Sequence, residues 1–119
     1  MMSNASLQYA KQVAEGASLL DEIRPGWERI IDLSKLDLNS HSTCIAAQAM
    51  EMDFDEFCQE MFDGASSYMV QDELIKLGFT TPYPKEVEFV SEADFLNYSL
   101  NEFHKLQESW VNLIKERFD

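Results

Sequence analysis

The chain has 119 residues, 45% of them hydrophobic, and a formal net charge of −13. A domain of this length buries roughly 65–70% of its unfolded surface, so a real core is expected and wholesale disorder is argued against. The charge weighs against direct binding to DNA, RNA or an anionic membrane, because phosphate recognition needs clustered Lys and Arg.

Leu, Met, Phe, Glu and Gln are plentiful while Val and Thr are scarce, which favours helix. Two cysteines, Cys44 and Cys58, are too few for a disulfide scaffold. The N-terminal stretch lacks an apolar core of signal-peptide length, and no run approaches 18 apolar residues. A soluble, cytoplasmic protein with reduced thiols is expected.

In chain order, Leu7, Ala10, Val13, Ala14, Ala17 and Leu20 recur at the spacing of an amphipathic helix over 5–23. Gly16 inside it costs about 1 kcal/mol relative to Ala, which points to close packing at that position. Pro25-Gly26 ends the helix, and Trp27 is expected to pack over the corner. Leu33, Leu36 and Leu38 keep no regular period and read as an ordered connector with apolar feet in the core. Asn39, Ser40 and Ser42 are good N-cap residues for a helix starting near Thr43.

That helix is predicted to run to Phe62, with a break near Asp53, where Asp53-x-x-Glu56 resembles a capping box. A further helix over 66–77 ends at Gly78. Val87 and Phe89, in a loop with two prolines, alternate like one short strand without a partner. Ser91-x-x-Asp94 opens the last helix. Its stripe is Leu96, Leu100, Phe103, Leu106, Trp110, Leu113 and Ile114, and Lys115 and Arg117 suit its C-terminal dipole. The predicted fold is an all-α, single-domain bundle of four to five helices over 1–119. Its N- and C-terminal helices pack through Leu7, Val13 and Leu20 against Leu96, Phe103 and Trp110.

Little in the chain marks catalysis. His41, Cys44 and Cys58 make at most three zinc ligands, needing a carboxylate such as Glu51 as the fourth, and each cysteine sits among apolar neighbours. His104 reads as a surface imidazole. Residues 53–57 open like a calcium loop but have Phe and Cys where oxygen ligands belong. Neither a Gly-x-Ser-x-Gly elbow nor a phosphate-binding glycine loop is present. No catalytic residue, metal or cofactor is expected.

The charge distribution is the functional lead. Residues 36–75 hold nine acids and no Lys or Arg, and six of those acids fall between 51 and 63. On a continuous helix Asp53, Glu56, Glu60 and Asp63 share an arc of about 80°. Met50, Phe54, Phe57, Cys58, Met61 and Phe62 occupy a separate arc. Like charges at i,i+3 or i,i+4 cost roughly 0.2–0.5 kcal/mol a pair. Over about 20 Å of helix the six acids are spaced at ~3.3 Å, near the ~3.4 Å of phosphates along one DNA strand. The plain reading is a solubilising face. The sharper one is a surface of Asp53, Glu56, Glu60, Asp63, Asp55 and Glu51 that docks on a basic, nucleic-acid-binding groove.

Residues 16–48, "GASLLDEIRPGWERIIDLSKLDLNSHSTCIAAQ", resemble a pattern in small uncharacterised phage and prophage proteins. There a Leu-Leu-Asp-Glu helix end precedes Pro-Gly-Trp, then Ile-Asp-Leu, Leu-Asp-Leu and a cysteine-containing helix. "LGF" at 77–79 and "LQESWVNLIKERF" at 106–118 are similar to the ends of such proteins. This chain departs from the pattern at Ser42 and Cys44, where members show two close cysteines, and at Ala46, where they show glycine. The resemblance implies a phage-type protein in the host cytoplasm. As a class such proteins resemble inhibitors of host defence or nucleic-acid enzymes, of anti-CRISPR or anti-restriction type, whose partners have basic grooves. The alternative is a phage structural or assembly accessory acting through helix–helix contacts.

Overall fold

A computed structural model of the chain describes residues 9–38, 40, 42–64, 69–81 and 92–118, the last helix with the side chains of Tyr98 and residues 100–118. Five α-helices and one 3₁₀ turn account for the regular structure among these residues, and no strand occurs among them. Leu7, Asn39, His41, Val87, Phe89, the Ser91-x-x-Asp94 signature and the Leu96 side chain lie outside the described residues.

Helix α1 spans Ala10–Ile23 and buries Val13, Gly16, Ala17 and Leu20 on one face, while Ala14, expected on the same stripe, turns to solvent and Gly16 takes its place against the core. It stops at Arg24, the residue that Pro25 steers away from helical geometry. Gly26 then takes a left-handed turn (φ 84°) into the 3₁₀ turn Trp27–Arg29. Trp27 is fully buried, and its indole N–H donates to Asp21 Oδ1 at 2.9 Å.

The connector seats its leucines as expected, with Leu36 and Leu38 buried. Gln48 does the tying. Its Oε1 accepts the Asp32 backbone N–H at 2.6 Å, and its Nε2 donates to the carbonyls of Asp32 and Thr43 at 3.3 and 2.8 Å. Gln107 Oε1 accepts the Leu38 N–H at 3.2 Å and fixes the connector to the last helix. Side-chain capping by Ser40 or Ser42 is not what forms. Helix α2, Ile45–Met50, starts after Cys44 without a side-chain cap, and Ser40 spends its hydroxyl on the Ser42 N–H at 3.3 Å.

The helical stretch expected over 43–62 is two helices, with the break at the expected place near Asp53. At the end of α2 the Glu51 N–H bonds to the Gln48 carbonyl at 3.4 Å and the Met52 N–H to the Ala47 carbonyl at 3.2 Å. This is a Schellman closure, with Glu51 left-handed at φ 56°. Helix α3, Phe54–Met61, restarts from Asp53, whose carboxylate accepts the Asp55 N–H at 3.0 Å. The cap bond therefore goes to the second residue of the helix, not the third as in a capping box. Beyond α3, Gly64 N–H closes on the Gln59 carbonyl at 2.7 Å, with Asp63 left-handed at φ 53°.

Helix α4, Gln71–Lys76, forms within the helix expected over 66–77, with 69–70 a turn and 66–68 outside the described residues. Gly78 (φ 71°) and Phe79 close it on Ile75 and Leu74 at 3.1 and 2.9 Å, and Phe79 and Leu74 are both buried beside the turn.

Helix α5, Glu92–Phe118, buries Leu106, Trp110 and Ile114 and half-buries Phe103 and Leu113. Leu100 leaves the predicted stripe and is 48% exposed. Helices α1 and α5 pack together and run parallel. Tyr9 donates its hydroxyl proton to the buried Glu102 carboxylate at one end, and Asp21 holds Arg117 at the other.

Trp110 is the hub of the core. Its ring meets Trp27 edge-on at 5.8 Å and stacks on Phe79 at 5.8 Å, and Phe79 in turn meets Phe57 edge-on at 5.5 Å. Such pairs add about 0.5–1.5 kcal/mol each beyond burial. Gly16 makes the approach possible. A Cβ there would lie 2.0 Å from the Leu77 carbonyl oxygen and 3.0 Å from the Trp110 ring.

Candidate acidic interface

Helix α3 has the two faces that its sequence implies. Phe54, Phe57 and Cys58 are buried against the core, with Met61 half-buried, while Asp55, Glu56 and Glu60 are exposed. Glu51, Asp53 and Asp63 are exposed as well, so all six candidate residues reach solvent. They are not carried on one helix. Glu51 and Asp53 stand in the α2–α3 joint and Asp63 follows the end of α3, whose eight residues cover about 12 Å. The regular 20 Å ladder of charges read from the sequence is thus broken at both ends. Only Glu56 and Glu60 form an i,i+4 pair within the helix.

Four of the acids have structural work. Asp53 caps α3. Asp55 and Glu56 occupy its first turn, where the helix dipole favours negative charge by roughly 0.3–1 kcal/mol each. Glu51 accepts a bond from Arg24 at 2.6 Å, across from the end of α1, with both side chains well exposed. The self-repulsion inferred from a continuous helix is therefore partly offset at the N-terminal end. Glu60 and Asp63 are different. They sit at the C-terminal end of α3, where the dipole opposes negative charge. Asp63 also holds a left-handed backbone. Among the described residues no ion pair reaches Glu56, Glu60 or Asp63.

The cysteines under this surface are buried free thiols. Burial, with a smaller push from the Asp55 charge, raises the Cys58 thiol to about 11, and burial likewise raises Cys44. Thiolate, the reactive form, is suppressed at both. Among the described residues no three His, Cys, Asp or Glu side chains converge as metal ligands, and His41 lies outside them. His104 is exposed on α5.

A second charged cluster escaped sequence reasoning. Arg117, expected only to complement the end of α5, donates to both carboxylate oxygens of Asp21 at 2.8 and 2.9 Å. Its guanidinium lies 5.3 Å from the Trp27 ring centroid and 3.6 Å from Glu28 Oε2, which is buried without a hydrogen bond among the described residues. The Arg117 bond holds the Asp21 carboxyl below the usual carboxylate range, and the Trp27 indole N–H assists. This clasp ties chain segments 96 residues apart and has the geometry of a fold anchor. No helix among the described residues is long and apolar enough to cross a membrane. No protein-family model matches the chain, and neither a curated protein nor a solved structure is similar to it.

Proposed function

We propose that the chain is a phage-type acidic interaction protein that binds a host defence or nucleic-acid-processing protein and inhibits it, as a mimic of nucleic acid. The partner surface on this reading is Glu51, Asp53, Asp55, Glu56, Glu60 and Asp63, presented by α3 and its two flanking turns. One observation carries the reading. Glu60 and Asp63 are exposed at the end of α3 where the helix dipole disfavours them, and no described ion pair offsets the cost. An acid that only solubilises could stand anywhere on the surface, whereas these stand where they destabilise. Where function requires a destabilising residue, stability is given up to keep it.

A basic groove built for phosphates would be attracted to this surface at long range and held by close charge pairs once docked. Blocking the groove would stop the partner from taking nucleic acid. The direct test is capture from host lysate by immobilised protein, with the bound proteins identified by mass spectrometry. A parallel capture uses the Glu60→Lys, Asp63→Asn variant. The reading expects a nucleic-acid-binding protein that the wild type retains, the variant loses, and added duplex DNA displaces. Equal recovery by both proteins, undisturbed by DNA, would instead favour an assembly accessory working through apolar helix contacts.

A further inference from the structure

We draw no further inference here: the strongest candidate, the groove of about 470 Å³ between α1 and α4, is rimmed by Lys11 and Lys76 and equally by Glu15 and Glu73, and nothing in the structure shows what covers it.

Discussion

The indole N–H of Trp110 donates to the backbone carbonyl of Gly78 at 2.7 Å, inside the core. That bond joins the longest helix to the turn that ends α4, at the point where Gly16 lets α1 come close. It also satisfies the one polar atom of a side chain that is otherwise wholly buried. Trp110→Ala should cost about 3–5 kcal/mol, enough to threaten a domain of ordinary stability. Trp110→Phe keeps one aromatic ring but loses the indole's packing on Gly16 and leaves the Gly78 carbonyl without its donor, and should cost less than Trp110→Ala but at least about 1 kcal/mol. Urea denaturation of both variants checks the order. A Trp110→Ala midpoint close to wild type would contradict the core described here.

Glu51 adopts a backbone conformation that ordinarily calls for glycine, and it also pairs with Arg24. The two roles separate by substitution. Glu51→Ala removes the ion pair and keeps the left-handed strain, whereas Glu51→Gly removes both. Glycine should therefore be the more stable of the two variants by about 1 kcal/mol. Thermal melting decides it, and an alanine variant at or above the glycine variant would count against a left-handed joint between α2 and α3.

The Asp21–Arg117 clasp should show in the acid limb of the stability curve. Asp21 titrates below its usual range because Arg117 hydrogen-bonds its charged form, against a smaller opposing effect of burial. A carboxyl depressed on folding adds stability above its unfolded value of about 3.9 and loses it as pH falls through the folded value. Both partners are partly exposed, so the gain is held to about 1 kcal/mol or less. Asp21→Asn should lower stability at pH 7 and narrow its gap to wild type below pH 4. A gap that is unchanged from pH 7 to pH 3 would rule the clasp out as a source of that dependence.

Cys44 and Cys58 should react slowly with thiol reagents in the native state and rapidly in denaturant, because both are buried and burial suppresses the thiolate. Fast stoichiometric labelling of the folded protein would overturn their placement. One equivalent of zinc in the purified protein, removable only with loss of structure, would do the same.

Local chemistry was readable in the sequence wherever one short segment carries the whole cause. Gly78 ends α4, Pro25 ends α1, Asp53 caps α3, and Leu106, Trp110 and Ile114 line one face, each from spacing or residue type alone. Contacts set by topology were not readable. The Gln48 side chain answering the Asp32 backbone, and Arg117 answering Asp21, join residues whose proximity no local period encodes. The break between α2 and α3 was legible as a place but not in kind, since Glu51 is an unusual residue for a left-handed turn. Leu100 keeps the stripe's spacing, yet among the described residues nothing buries it. The six acids were legible as a concentration of charge. Their division into helix-supporting residues and the pair Glu60 and Asp63 needed the helix ends.

On the proposed function, Glu60 and Asp63 are held at a stability cost because a basic partner uses them. Replacing them by Glu60→Lys and Asp63→Asn relieves the conflict with the helix dipole, by roughly 0.3–1 kcal/mol per residue, and asparagine keeps the left-handed turn at 63. The deciding measurement is the affinity of wild type and of this double variant for the captured partner, each titrated across a range of salt concentrations. The double variant should be at least as stable as wild type, bind more weakly, and lose less affinity as salt rises. A variant that binds as tightly as wild type, with the same salt dependence, would contradict the proposed function.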